Sequence, residues 1–304
     1  MPSHSYLSAD GSALWRSTYD GDGMERIDAE TGETLWSVRL IDGNHCDANV
    51  KESPDGRVIL CVPTYGDLVF ALDPHTGETL WESPKYGTPC FSADGKTIEW
   101  VKTSREGYDE EEREYLLHTR TDAETGALLG QTELFRSDGN GSLTADTMRA
   151  QDGRPLAFLH WRCGSYRGGM KEHTVCIYDL TSREKLGEAR IEALDYFSTE
   201  ALPGEDALLL YWREPNEEGD ETAWHCRMAF DGTLSPAEED DPNEPLGFAD
   251  ELLRVFGRRD GVIESPNGES CCLYSGWSTP MLLKTVPDEA LLAQAKERMG
   301  GAAK

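Results

Sequence analysis

The chain has 304 residues, and its 57 Asp and Glu residues against 29 Lys and Arg residues give a formal net charge of −28 at pH 7. This excess of negative charge repels phosphate backbones and anionic lipids, so it argues against binding to nucleic acid or to a membrane surface. A basic protein partner fits such a charge, although a solvated acidic coat or a salt-adapted proteome would give the same composition. With 38% hydrophobic residues, the chain is expected to be soluble and globular.

The N-terminal segment MPSHSYLSADGSALW has neither the basic nor the apolar region of a secretory signal. No stretch of the sequence approaches the ~18 apolar residues of a membrane helix. Eight cysteines are spread along the chain, and Cys61 and Cys176 lie within apolar runs that are typical of buried strands. We therefore expect a cytoplasmic protein with thiols in its core.

One short motif recurs along the chain. It reads DAETGETLW from Asp28 and DPHTGETLW from Asp73, and weaker copies begin at Asp122, Asp179 and Asp231. The Asp side chain can accept hydrogen bonds from backbone N–H groups two or three residues on, and the Gly supplies the positive φ of a bulged hairpin. The motif therefore predicts a tight hairpin between two strands.

A second kind of turn, of the Asp-Gly type, alternates with the first. These turns fall at residues 10–11, 55–56, 94–95, 152–153, 205–206 and 267–268. Each precedes a short apolar run, so every unit reads strand, Asp-Gly turn, strand, variable loop, strand, DxxTG turn, strand. Repeated four-stranded antiparallel sheets bury both faces by stacking radially, which predicts an all-β fold with a single β-propeller of six or seven blades. A tandem β-sandwich is the alternative fold.

The two DxxTGETLW turns resemble the repeats of PQQ-like (quinoprotein-type) propellers, and SPDGRVIL and SADGKTIEW are similar to segments of WD40-like and TolB-like propellers. The resemblance is clearest over residues 1–135 and implies blade geometry rather than an activity. The chain matches no cofactor or calcium-ligand motif of the PQQ-dependent dehydrogenases, so no cofactor is expected.

The C-terminal end of the sequence changes character. We expect the propeller to span residues 1–286 and a helix and tail to span residues 287–304. Pro287 with acidic residues after it is a typical helix start, and Gly300 is a typical helix end. The segment before Ser8 and a strand candidate at residues 281–286 are expected to share one blade and so close the ring.

No nucleophile, phosphate-loop or metalloprotease motif appears in the sequence, so a non-enzymatic role is favoured. A Trp-Arg pair ends the strand after an Asp-Gly-type turn three times, and Trp and Arg are enriched in binding hot spots. The alternative is that each Trp packs between blades while each Arg pairs with a carboxylate. The long loop CGSYRGGMKE adds a basic, Gly-rich segment. The predicted partner-binding residues are Trp15, Arg16, Trp161, Arg162, Tyr166, Arg167, Trp212 and Arg213.

Two His-x-x-Cys segments, HWRC at His160 and HTVC at His173, raise the question of a zinc site. A spacing of three residues places His and Cys on opposite faces of a regular strand, which argues against shared coordination. No metal site is therefore predicted.

Together these features predict a monomeric, non-catalytic binding module for a basic protein partner, with a bacterial immunity or antitoxin-like protein as one concrete version. The alternative is an enzyme or small-anion binder that uses the central channel, where Arg16, Arg162 and Arg213 would hold the anion. A purely structural scaffold is the third interpretation.

Overall fold

A computed structural model of the chain describes residues 5–8, 10–18, 22–29, 31–40, 48–63, 66–106, 113–137, 141–163, 170–193, 197–202, 206–215, 221–239, 260–264, 270–275 and 281–284. Every regular element in these ranges is a β-strand, and none of them includes a helix that could cross a membrane. The helix expected within residues 287–304 lies outside the described residues.

The strands form antiparallel sheets in chain order. The first sheet contains β1 (Ser5–Leu7), β2 (Ala13–Ser17), β3 (Gly23–Asp28) and β4 (Thr34–Arg39). The second contains β5 (Ala48–Glu52), β6 (Ile59–Pro63), β7 (Leu68–Leu72) and β8 (Thr79–Pro84). The third contains β9 (Thr88–Phe91), β10 (Thr97–Glu106), β11 (Arg113–Asp122) and β12 (Leu128–Arg136).

The remaining sheets follow the same plan. The fourth contains β13 (Gly141–Arg149), β14 (Pro155–Cys163), β15 (Lys171–Asp179) and β16 (Lys185–Ala193). The fifth contains β17 (Phe197–Ala201), β18 (Ala207–Pro215), β19 (Glu221–Ala229) and β20 (Glu238–Glu239). The sixth contains β21 (Asp260–Glu264), β22 (Ser270–Ser275) and β23 (Met281–Lys284).

This succession of four-stranded up-and-down sheets is the blade plan of a β-propeller and confirms the predicted fold class. Six sheets lie within the described ranges, five of them with four strands. The expected sharing of a blade between the chain ends is wrong for the strands seen here, because β1 pairs with β2 and β23 pairs with β22. In the described residues, β1 and β23 thus belong to two different sheets.

The chain divides into two compact units, residues 1–52, 56–84 and 243–304 in one and residues 53–55 and 85–242 in the other. In the first unit, a buried cluster that includes Trp15, Ile59 and Phe70 packs the first sheet on the second. In the second unit, one buried cluster lies between the third and fourth sheets and another between the fourth and fifth. The core of each unit therefore lies between stacked sheets, as the repeats predict.

The DxxTG turns have the predicted chemistry. The Asp73 carboxylate accepts backbone hydrogen bonds from His75 at 2.8 Å and Thr76 at 2.9 Å, and the bond from Thr76 is the main cause that lowers the pKa of this carboxyl. Asp122 makes the same bonds to its own turn. Gly77 and Gly126 have φ values of 74° and 71°. The Asp73 and Asp122 carboxylates therefore cap the backbone of their own turns.

The fourth turn places Arg183 where the first three have glycine. Arg183 has φ 66° and is the one non-glycine residue with positive φ in the part of the chain that the structure describes. Its N–H still donates to the Asp179 carbonyl at 2.7 Å. Since an L-residue is strained in this left-handed region, the turn is imposed by its capping Asp and by the flanking strands.

We expect Arg183→Gly to raise the free energy of unfolding by about 0.5–1 kcal/mol, because the relief of left-handed strain exceeds the entropy that glycine adds to the unfolded chain. Gly126→Ala in the third turn should lower it by about 1 kcal/mol. Urea unfolding followed by tryptophan fluorescence measures both. Shifts of the same sign in the two variants would contradict this account of the turn.

Candidate functional site

A buried polar group lies between the fourth and fifth sheets, in the second unit. We call it the histidine cluster, and it consists of His160, Arg162, His173, Phe197 and Trp212. The first three residues lie on β14 and β15, and the other two lie on β17 and β18. All five lie towards the end of the sheets at which β14 ends and β15 begins.

Strand alternation and register explain why these residues meet. His160 and Arg162 share one face of β14 with Phe158, which belongs to the apolar cluster between the two sheets. Arg162 lies opposite His173 across the β14–β15 ladder. Phe197 lies opposite Trp212 across the β17–β18 ladder. The polar side chains therefore form one end of an otherwise apolar sheet-to-sheet contact.

The two imidazoles form the centre of the cluster. His160 Nε2 lies 2.8 Å from His173 Nδ1, so one nitrogen donates a proton and the other accepts it. The rings stack with centroids 5.0 Å apart, and the Phe197 ring centroid lies 4.6 Å from each of them. His173 is fully buried and Arg162 is 8% exposed. The cluster thus holds two hydrogen-bonded imidazoles against an aromatic ring.

The electrostatics keep His160 neutral. Burial, followed by the nearby charges of His173 and Arg162, lowers the pKa of His160 to about 3. On the fifth sheet, the Trp212 indole N–H donates to Glu214 Oε1 at 2.9 Å. At neutral pH, the His160 imidazole therefore offers hydrogen bonding rather than charge.

The cysteines of the two His-x-x-Cys segments do not join the imidazoles. Cys176 belongs to the apolar cluster between the third and fourth sheets, on the other face of β15, and Cys163 is exposed. This confirms that the spacing of three separates His from Cys. Burial raises the pKa of Cys176 to about 12, so its thiol stays protonated. Within the described ranges, no three His, Cys, Asp or Glu side chains come together as metal ligands.

The structure brings some of the predicted binding residues together and separates others. Trp161 lies on the opposite face of β14 from Arg162 and packs towards the third sheet. Its ring centroid lies 6.3 Å from that of Phe135. Trp212 faces the fourth sheet, and Arg162 lies on the face of β14 that packs on the fifth sheet. Arg213, the next residue, is partly exposed. Tyr166 and Arg167 lie outside the described residues.

The first Trp-Arg pair belongs to the other unit. Trp15 is 2% exposed and packs towards the second sheet, which follows it in the chain, whereas Trp161 packs towards the sheet that precedes its own. Arg16 forms an ion pair with Glu25 at 2.7 Å. The Trp15-Arg16 pair is thus not a register equivalent of the Trp161-Arg162 pair. The role of these pairs in binding stays a prediction.

Sequence reasoning considered His160 and His173 only as partners of cysteines. The alternation of side chains between the two faces of β14 and β15 could have paired them. Residues on the same face of a hairpin and near its loop become neighbours across the two strands. Phe197 carried no local signal, because its place in the cluster depends on how the fifth sheet stacks.

Many of the cations in the described ranges are engaged by carboxylates. Arg39 pairs with Asp22 at 2.7 Å, and further ion pairs involve Arg105, Arg120, Arg136, Arg154, Lys185 and Arg190. These pairs leave the carboxylate excess of the chain uncompensated. The net charge of −28 therefore remains as an excess of carboxylates over cations.

Comparison with known proteins supports the fold but identifies no family. No family model matches the chain, and a search of curated proteins found no sequence relative. Hydrazine synthase from Kuenenia stuttgartiensis is 15% identical, covers 94% of this chain and 96% of its own, and superposes with a TM-score of 0.58. BamB from Moraxella catarrhalis is 17% identical over 92% of this chain and 70% of its own, with a TM-score of 0.37.

The β-propeller domain of Cps50 (Swd1) from Myceliophteria thermophila is 12% identical over 94% of this chain and 97% of its own, with a TM-score of 0.43. At these identities the likeness is one of fold alone. The chain is a β-propeller repeat protein, and this class does not decide between catalysis and binding.

The histidine cluster predicts a measurable pH dependence of stability. Above pH 6.5, His160 is neutral in both the folded and the unfolded chain. Between pH 6.5 and about pH 3, His160 binds a proton in the unfolded chain but stays neutral in the folded chain. The free energy of unfolding should therefore fall by about 2 kcal/mol from pH 7 to pH 5 through this residue, and His160→Gln should lack that contribution.

Urea unfolding at several pH values measures the effect. His75→Gln is the matched control, because His75 is exposed in a turn and its replacement should leave the pH slope unchanged. Equal slopes for the wild-type chain and His160→Gln would contradict a buried neutral imidazole at this position.

Proposed function

We propose that this propeller is a non-catalytic binding module and that its partner is a basic protein. The observation that carries the proposal is the net charge of −28 together with the engagement of many of the described cations in ion pairs within the sheets. A surface of this kind attracts a cationic partner from a distance and raises the rate of association.

The loops between the second and third strands of each sheet support a docking surface. REGYDEEER joins β10 to β11, and EPNEEGDE joins β18 to β19, so both acidic segments are the same connection in different sheets. The aspartates of the hairpin turns, by contrast, cap backbone N–H groups, as at Asp73. We infer that the loop acids contact the partner.

A finer version of the proposal is a cytoplasmic, monomeric immunity or antitoxin-like protein that masks a basic toxin. Its support is the charge and the lack of a catalytic motif in the sequence. Co-purification from a low-salt lysate tests it directly. A toxin recovered with the chain supports this version, and recovery of basic proteins without toxic activity argues against it.

The dissociation constant for the co-purified basic partner should rise at least about tenfold between low and high salt, mostly through a slower association rate. The triple variant Glu217→Gln, Glu218→Gln, Asp220→Asn should weaken binding at low salt and flatten the salt dependence. Surface plasmon resonance at a series of NaCl concentrations measures both rates.

The matched control neutralises three exposed acids of the hairpin turns, in the variant Glu33→Gln, Glu78→Gln, Glu124→Gln. It removes the same charge from the chain and should leave the affinity within about twofold of wild type, as expected for acids away from the contact. Equal losses in the two triple variants would place the effect in the net charge rather than in the loop. An affinity that does not change with salt would overturn the electrostatic proposal.

A small-anion site is the second candidate function, and the burial of Arg162 beside two imidazoles favours it. Arg162→Gln and Arg213→Gln separate the two functions. If these variants lose phosphate binding, measured by calorimetry, and still bind the protein partner, the result supports the anion site. If they lose only the protein partner, the result argues for the docking surface.

A further inference from the structure

Three of the fourth strands carry a solvent-exposed leucine at the same position. In the first sheet, the ladder shifts between Arg26 and Ile27, which makes Leu35 the extra residue of a β-bulge. The second and third sheets shift in the same way, so Leu80 and Leu129 are the equivalent residues. The three leucines are 51%, 47% and 55% exposed. The repeat therefore presents an apolar side chain at a fixed place after each of these turns.

The fourth sheet shows such a leucine in contact with its surroundings. Its ladder shifts between Ile177 and Tyr178, which makes Leu186 the equivalent residue. Leu186 is partly buried and packs on the apolar cluster between the fourth and fifth sheets. The next residue, Gly187, lies so close to the fifth sheet that an added Cβ would be 2.3 Å from the Gly232 nitrogen. A leucine at the bulge is thus suited to packing against apolar side chains when other residues cover it.

In the first sheet, Trp36 follows the bulge residue Leu35 and contacts the second sheet. Its ring centroid lies 5.7 Å from that of Trp15, and its Nε1 donates to the Pro74 carbonyl at 3.0 Å. A Cβ added to Gly77 would lie 2.8 Å from the Trp36 ring, so the turn of the second sheet packs directly on the indole. The indole therefore joins the two sheets next to an exposed leucine.

The exposed leucines of the first two sheets belong to one strip of surface. Leu80 follows Gly77 by three residues, and Gly77 packs on the ring of Trp36, the neighbour of Leu35. All four residues belong to the first compact unit. We call Leu35, Trp36 and Leu80 the leucine strip. Because burial of apolar side chains is favourable, a segment that covers the strip gains free energy from both leucines.

The C-terminal residues leave the sixth sheet at the same end of the sheets as the leucine strip. In the first four sheets, the third strand ends at the DxxTG turn, just before the bulge leucine, and β23 is the third strand of the sixth sheet. The first strand of that sheet, β21, contacts β1 of the first sheet within the same unit. Residues 285–304 follow β23 and lie outside the described residues. They therefore start next to the sheet that carries Leu35.

The sequence of residues 287–304 has a pattern that fits an apolar strip. Pro287 and the acidic residues after it predict a helix of about twelve residues, with Leu291, Leu292 and Ala295 on one face. Such a helix is about 18 Å long, and stacked sheets lie about 10 Å apart, so the helix can reach across the first sheet to the second.

The charges favour the same placement. Residues 287–304 hold as many Lys and Arg residues as Asp and Glu residues, whereas the whole chain has a net charge of −28. Lys296 and Arg298 lie on either side of the apolar face of the expected helix, near its end. Glu78 and Glu82 are exposed, and they come two residues before and after Leu80. The basic end of the helix therefore complements the acids of the second sheet, whereas a second copy of this acidic chain would be repelled.

We propose that residues 287–304 form an amphipathic helix that docks on the leucine strip, with its apolar face on Leu35 and Leu80 and its basic end beside Glu78 and Glu82. The docked helix links the sixth sheet to the first two sheets of its unit. It is independent of the proposed function, because the acidic loops join second to third strands and lie at the opposite end of each sheet.

Photo-cross-linking of the full chain tests the position of the helix. The photoreactive residue p-benzoylphenylalanine replaces Leu292, and mass spectrometry identifies the products. We expect cross-links within one chain to residues 33–39 or 78–84. The same residue in place of Glu297, on the opposite face of the helix, is the matched control and should give several-fold fewer of these products. Cross-linked dimers would assign the strip to a second copy and overturn the proposal, as would the absence of cross-links to both segments.

Hydrogen exchange measured by mass spectrometry tests the two leucines. The amides of residues 288–299 should exchange at least about tenfold more slowly than those of an unstructured chain, and the double variant Leu35→Ser, Leu80→Ser should remove most of this protection. Leu129→Ser is the matched control, because Leu129 occupies the same bulge position in the third sheet and should leave the protection unchanged. Unprotected amides in the wild-type chain, or equal losses in the two variants, would contradict docking on the strip.

Discussion

The register of the first four sheets depends on an aspartate carboxylate that caps the hairpin between the third and fourth strands of each sheet. In the turns at Asp73 and Asp122 this carboxylate accepts hydrogen bonds from backbone N–H groups, and the glycine four residues after each aspartate enters the left-handed region. A slip of one residue at the turn would move every side chain of the fourth strand to the other face. The turn therefore decides which residues of one sheet meet the next sheet, including Trp36 and Gly187.

Much of the fold could be predicted because this turn chemistry is local. Asp and Gly at fixed offsets identify the hairpins, and the apolar runs between them identify the strands, so the blade plan follows from short segments alone. Arg183 shows the limit of such reasoning, since a residue unsuited to positive φ occupies that position because its neighbours impose the turn. The shared blade was expected from the positions of the chain ends, whereas the strands actually pair with their nearest neighbours in sequence.

The candidate site was only partly predictable, because it depends on which face of a strand meets which neighbouring sheet. The pairs at Trp15 and Trp161 look alike in sequence, yet their tryptophans pack in opposite directions along the succession of sheets. His160 and His173 meet through the register of one hairpin, while Phe197 reaches them only through stacking of the next sheet. Contacts of the second kind leave no periodic pattern in the sequence.

The tilted pair of indoles in the first sheet has an optical consequence. Two indole rings with centroids 5.7 Å apart and planes inclined by 43° are close enough for their electronic transitions to couple, and the tilt makes the coupled pair chiral. The Trp15 and Trp36 pair therefore contributes its own signed couplet to the far-ultraviolet circular dichroism spectrum. Trp36 also donates a hydrogen bond to the Pro74 carbonyl in the turn of the second sheet. The couplet therefore reports whether the first two sheets remain packed together.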